Sequence, residues 1–409
     1  MRSGLIQQYR LLLKLLSILP ALLLTLSVSA DDLTPLVEQR LGYMKDVAAY
    51  KWQHKLLIEN VEREAVVLDA ALGQALRFGL TKDSSRYFFS VQISAAKEIQ
   101  AYWFRQWQNN PNSVPENDAS LEHEIRPALL NLGEAIAAAL VDGEKNLSGL
   151  KVEGLSTPTA SQLASAAQAV TTYPNRLAQV LDSSILRVGT TGDYAPFSFR
   201  PDSSVGSAQW SGIDIDLAKN LAQSLGVAIQ WVHTSWPMLM QDLHNGRFDI
   251  GMSGISINLT RQQTAFFSTA YHRGGKAPLI RCADSGKYGS LDDIDQNDTR
   301  VIVNPGGTNQ KFTDANIHQA SIAVHDDNRS IFNEIINHTA DVMFTDKIEI
   351  ELQTRRHAEL CAAMGEQTLT YSEKGFLLPQ DVVWKAYVDT WLNIRSGDGT
   401  VEKLFNTHL

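Results

Sequence analysis

The chain has 409 residues, 44% hydrophobic and 20% charged, an ordinary globular composition with length for two or three domains. A net charge of -9 argues against nucleic acid or an acidic membrane surface as partner, while leaving room for local cationic sites for small anions. The 10 histidines are scattered without an H-E-x-x-H string, and two cysteines without a histidine cluster make no structural zinc site, so no metal is expected.

Residues 1–30 differ in character from the rest of the chain. Arg2, Arg10 and Lys14 give a positive start, residues 15–28 are mostly apolar, and Val28-Ser29-Ala30 reads as a small-residue cleavage site. This is the pattern of a cleaved secretory signal, too short in its apolar part for the roughly 20 residues of a membrane span. A periplasmic location is therefore expected. In such an oxidising compartment Cys282 and Cys361 could pair, and the sequence leaves both the pair and two free thiols open.

From residue 33 to 150 the pattern is helical, rich in Ala, Leu, Glu, Gln and Lys, with a Pro- and Asn-containing break at residues 109–117. Arg40 and Lys51 are eleven residues apart, about three turns, and would share a face of one continuous helix. An isolated cation on a helix is usually a solvated surface charge. Here the context is more specific: R-L-x-x-x-x-x-V-A-x-Y-K-W from Arg40, N-V-E-R-E-A-x-V-L from Asn60, F-F-x-x-Q-I-x-A-A-K-x-I-Q ending at Gln100, and I-R-P at residues 125–127.

This combination resembles the secreted, all-helical chorismate mutases over residues 33–140. The resemblance implies that Arg40, Arg63 and Arg126 hold the two carboxylates of chorismate, that Lys51 and Gln100 reach its ether oxygen, and that Glu64 meets the ring hydroxyl. A Claisen rearrangement needs a folded substrate and donors for the charge growing on the breaking ether, and no cofactor. Asn60 stands where Asp is frequent in that family, yet can still cap the helix after it. Residues 144–184 either complete the helical module or space it from the next, and the boundary is expected at residue 183.

At Leu186 the texture changes to short β-like runs (186–188, 228–232) alternating with helical ones (213–225), the mark of a parallel α/β domain. Four polar motifs fall at expected strand ends: G-T-T-G-D-Y-A-P-F-S-F from Gly189, M-S-G-I-S-I-N-L-T-R from Met252, V-N-P-G-G-T-N-Q-K-F from Val303 and T-D-K-I-E from Thr345. Ligands of open α/β sheets bind where strands end and helices begin. Asp346 and Glu349, three residues apart, would therefore face one bound molecule, against the plainer reading of a helix cap and a first-turn acid.

In this order the four motifs resemble the periplasmic amino-acid-binding proteins over residues 186–409. That fold implies two lobes, about 184–275 with 374–409, and 276–373. It implies that Arg261 forks onto a carboxylate and that Asp346 meets an ammonium. T-T-G-D-Y, Ser235-Trp236, M-S-G-I-S-I-N, N-P-G-G-T-N and T-D-K-I-E resemble more closely the cyclohexadienyl dehydratases, enzymes on the same scaffold. By that resemblance Glu349 is the general acid, with Trp236, Ser253, Ser256, Arg261, Lys276, Asn304, Thr308 and Asp346 around the substrate. Such an acid must keep its proton near neutral pH.

The two resemblances imply consecutive steps: chorismate to prephenate, then prephenate to phenylpyruvate or arogenate to phenylalanine. The rival is an exported solute-binding protein fused to a helical dimerisation module, which has no use for Lys51, Gln100 and Glu349 together. Homo-oligomers are common in both families, and one is expected here.

Overall fold

The computed structural model describes residues 32–115, 120–147, 149–201, 209–365 and 367–409. The expectation of a signal at residues 1–30 lies outside them. The first half is all-α. Helices α1 (Leu33–Gly42) and α2 (Met44–Gln53) run almost without a break, because Tyr43 between them keeps helical dihedrals and its N–H still reaches Gln39 O at 3.4 Å. α3 (Val61–Arg77) starts at the Asn60 cap, whose side chain accepts from the Arg63 N–H at 2.8 Å. α4 (Lys82–Asn109) is the long central helix, and α5 (Arg126–Asp142) comes after a π-helical turn at Leu121–Ile125.

α6 (Thr157–Gln168) packs Leu163, Ala166 and Ala167 into the same core as Phe88, Ile99 and Ile136, so this segment completes the helical module. α7 (Arg176–Ser183) does not. Its Val180 belongs to the core of the C-terminal domain, beside Leu186 and Trp384, so the packing boundary falls before α7 and not at residue 183. Hydrophobic burial on the C-terminal side outweighs the chain proximity of α7 to α6.

The second half has two five-stranded sheets. One is ordered Ala228–His233, Ile185–Thr190, Ile250–Gly251, Leu377–Leu378, Phe266–Phe267; the other Ser321–Val324, Arg300–Val303, Val342–Asp346, Lys276–Arg281, Leu360–Ala362. The chain passes between these lobes twice, at His272–Gly274 and Ser372–Lys374, which pair antiparallel. Cys282, just past the end of Lys276–Arg281, and Cys361, on the neighbouring strand Leu360–Ala362, form a disulfide in the second lobe. Among the described residues no helix is long and apolar enough to cross a membrane.

The halves touch where α3 ends. Gly246, at φ +61°, lies so close to Arg77 that an added Cβ would stand 2.1 Å from its carbonyl oxygen, and the Gln179 amide donates to Leu76 O. Gly246 is thus required twice, for its left-handed turn and for the approach.

Candidate active sites

The helical module encloses a cavity of about 180 Å³ whose wall includes Arg40, Lys51, Arg63, Glu64, Gln100 and Arg126, all six candidates singled out from this half of the sequence. Arg40 and Lys51 reach it from one face of α1–α2. Burial lowers the Arg40 guanidinium to about 10; it donates to Leu129 O, and among the described residues no carboxylate pairs with it. A desolvated cation without its counterion is an anion site in waiting. Burial likewise lowers Lys51, which Glu64 partly offsets, and its Nζ is held 2.7 Å from Ile58 O.

Glu64 has local work. One oxygen accepts from the Asn60 N–H at 3.3 Å, satisfying a free donor at the helix start, and the other from Lys97 Nζ at 2.9 Å. Gln100 donates to Ala96 O at 3.0 Å and leaves its buried Oε1 without a partner. Arg126 pairs with Glu122 at 3.2 Å at the rim, and Arg63 is exposed at the mouth. Two wall residues were missed from the sequence. Lys97 lies three residues before Gln100 within the same quoted motif, and Gln92, eight before it, shares its helix face and has a buried Nε2 without a partner.

The second site lies between the lobes, where Val342–Asp346 runs into the helix Lys347–Arg356. Asp346 holds the N-cap position but its side chain makes no cap bond. It accepts instead from Lys374 Nζ at 2.6 Å and from the Tyr194 hydroxyl. Lys276 Nζ lies 2.9 Å from Asp346 Oδ1, close enough for Coulombic attraction although without hydrogen-bond geometry. Burial alone would raise this carboxyl; the two ammonium groups and the phenol hold it well below the usual carboxylate range.

Glu349 sits one helical turn on, 1% exposed. Its carboxyl is pushed up to about 8, chiefly by burial and further by Asp346, against the Thr345 hydrogen bond and the two lysines. The carboxyl is thus protonated at neutral pH. Behind Thr345, Asn309 joins the set by donating to Thr345 Oγ1 at 3.2 Å and to Asn304 Oδ1 at 3.1 Å, and by accepting from Lys276.

Trp236, Ser256, Arg261, Asn304, Thr308 and Asp346 line the cleft. Trp236 stacks edge-on against Tyr194 at 5.7 Å, and Ser256 Oγ accepts from Lys374 at 3.0 Å. Burial lowers the Arg261 guanidinium, and among the described residues no carboxylate answers it. Ser253 is not brought to the cleft: its hydroxyl is bonded to the Thr191 N–H at 3.2 Å and Thr191 Oγ1 at 2.8 Å inside the first lobe. Alternation along M-S-G-I-S explains this, since only Ser256 comes after the turn at Gly254, which has φ +64°.

Lys374, Tyr194 and Asn309 are not singled out by the sequence. Tyr194 fits a turn as well as a site, and Lys374 lies in an undistinguished S-E-K run at the second crossing. The lobes are shut on one another. Asn328 of the second lobe donates to Asp193 O of the first at 2.9 Å, and the cleft cavity is about 20 Å³, too small for a cyclohexadiene dicarboxylate. Substrate entry requires the lobes to part about the paired crossings.

Residues 186–409 match the bacterial extracellular solute-binding proteins, family 3, and residues 31–101 match chorismate mutase type II. Cyclohexadienyl dehydratase of Pseudomonas aeruginosa is 48% identical over 229 residues, covering 56% of this chain and 84% of that one. Secreted chorismate mutase of Yersinia pestis is 40% identical over 91 residues, 22% of this chain and 49% of that one. Among solved structures, an ancestral amino acid-binding protein described as a precursor of cyclohexadienyl dehydratase superposes with a TM-score of 0.52 at 32% identity, covering 57% of this chain and 98% of the other.

Proposed function

Since the chain belongs to the bacterial extracellular solute-binding proteins of family 3, and there to the cyclohexadienyl dehydratases, behind a chorismate mutase domain, we propose how its two sites divide a two-step synthesis. The protein is a bifunctional enzyme of phenylalanine biosynthesis: an isomerase that converts chorismate to prephenate and a lyase that converts prephenate to phenylpyruvate.

In the first site Arg40, Arg63 and Arg126 take the two carboxylates and fold the substrate. Lys51 and Gln100 then meet the ether oxygen, where charge grows as the C–O bond breaks. Lys97 holds Glu64 in place for the ring hydroxyl. In the second site Arg261 and the lysines freed from Asp346 take the carboxylates, and Asn304, Thr308 and Trp236 fix the ring. Glu349 gives its proton to the ring hydroxyl; water leaves, the ring carboxylate departs as carbon dioxide, and its electrons complete the aromatic ring. Arogenate, with an ammonium for Asp346, is the second substrate of this site. Neither step calls for a cofactor.

The protonated, buried Glu349 beside the Asp346–lysine cluster carries this reading. A solute-binding protein with a helical dimerisation module has no use for a buried acid next to its ligand, nor for Lys51 and Gln100 around a second cavity. Export signalled by residues 1–30 and a periplasmic location belong to the same proposal, supported by the secreted and extracellular relatives, and so does a homo-oligomer. The test is to supply chorismate to the purified protein and separate products over time: prephenate should rise and fall ahead of phenylpyruvate. A stoichiometric amino-acid complex with no turnover would favour the binding-protein reading.

A further inference from the structure

Dehydration of prephenate turns a dicarboxylate into a monocarboxylate, carbon dioxide and water, which consumes one proton per turnover. Glu349 delivers that proton and is left as a carboxylate, so it must be recharged from solvent each cycle. The front offers a poor path: the cleft is about 20 Å³ and is flanked by Lys276, Lys374 and Arg261, cations that oppose an approaching hydronium.

Glu349 is not in the wall of that cleft. It lies in the wall of a second cavity, about 220 Å³, which adjoins the cleft at Asn328 and is lined also by Asp193, Arg329, Gln353, Arg356 and His357. Glu349, Gln353 and His357 recur at four-residue intervals along the helix Lys347–Arg356 and its C-cap, one stripe leading from the buried acid to the surface. Gln353 is 5% exposed, whereas His357 is half-buried at the outer end. The volume suffices for several waters with polar neighbours. Asp193 adds a carboxyl that burial raises, and of the two guanidiniums in this wall Arg329 pairs with Asp327 and Arg356 is exposed.

We propose that this rear cavity is the route by which a proton returns from solvent to Glu349, with Gln353 and His357 positioning the water that carries it. Reprotonation then does not wait for the lobes to open, and the acid is reset while product still fills the cleft. The inference rests on Glu349 being the acid. In the relay an O–H bond forms on the Glu349 carboxylate, its adjacent water takes a proton from the next, and the deficit is made good at the mouth by hydronium or a buffer acid.

The test uses the full chain with prephenate, comparing wild type with Gln353→Met, His357→Phe and Glu349→Gln. The two stripe variants should lose about tenfold in kcat with KM unchanged. Their solvent deuterium isotope effect on kcat should exceed that of wild type, and imidazole buffer at constant pH should restore part of the rate. An unchanged thermal midpoint of the C-terminal domain, together with the unchanged KM for prephenate, reports that each variant is folded. Wild-type kcat in both stripe variants would overturn the route, as would a loss that neither the isotope effect nor buffer concentration tracks. Dehydration surviving in Glu349→Gln would instead overturn the assignment of the acid.

Discussion

Asp346 and Glu349 stand one helical turn apart at the same strand-to-helix junction, both buried, yet hold opposite protonation states. Lys276, Lys374 and Tyr194 all converge on Asp346 and keep it ionised. Among the described residues Glu349 receives only the Thr345 hydroxyl, and burial, with its charged neighbour Asp346 adding to it, leaves it its proton. Two carboxyls driven apart in this way are the signature of a site that separates charge stabilisation from proton donation.

The pH dependence of dehydration is set by that difference. Glu349 acts only when protonated, so the rate should be lost as pH rises through its value of about 8. The kcat/KM profile should be level below that point and fall about tenfold per pH unit above it. A bound dicarboxylate pushes the acid further up, so the kcat profile should break at higher pH. A pH–rate series with prephenate checks both.

Removing the charge of Asp346 leaves two buried ammonium groups unpaired. Asp346→Asn should therefore destabilise the C-terminal domain by about 3–5 kcal/mol, read as a lower urea midpoint. The sign with pH is fixed by the depressed value of Asp346 in the folded state. Its stabilisation is present above the unfolded carboxylate range and is lost as pH falls through that range into stronger acid. The acid limb of a wild-type stability curve should be flatter in the variant.

In the helical site, Lys51→Ala and Gln100→Ala each remove a polar side chain from the cavity wall assigned to the ether oxygen. Each should lower chorismate turnover about 10²- to 10³-fold while prephenate dehydration stays at the wild-type rate. Steady-state kinetics with the two substrates separately measures this. Equal losses at both sites would indicate a folding defect.

The disulfide Cys282–Cys361 joins positions 79 apart in the sequence. On chain entropy alone, a loop of that size is worth about 4.5 kcal/mol. Cys282→Ser with Cys361→Ser should lower the thermal midpoint of the C-terminal domain and leave the helical module unaffected, as separate calorimetric transitions would show.

Much of this was legible in the sequence where function is tied to a local pattern. The helical first half shows in its composition, the second in its alternation of β and helical runs, and Arg40, Lys51, Gln100, Arg261 and Asp346 in motifs at helix faces or strand ends. What was not legible depends on residues distant in the chain. Lys374 reaches Asp346 only because the chain returns from the second lobe at that point, and Tyr194 is committed only once the lobes close on it. Ser253 was misplaced because a motif says which residues are polar, and not which way the turn at Gly254 sends them. The departure of α7 from the helical module was decided by the core that receives Val180.

The most direct measurement is product analysis of Glu349→Gln supplied with chorismate. The amide keeps the shape of the side chain but has no acidic proton to give. Prephenate should accumulate at the wild-type mutase rate with phenylpyruvate formation reduced at least about 10²-fold. Phenylpyruvate appearing at the wild-type rate would contradict the account, because the proton would then come from somewhere other than Glu349.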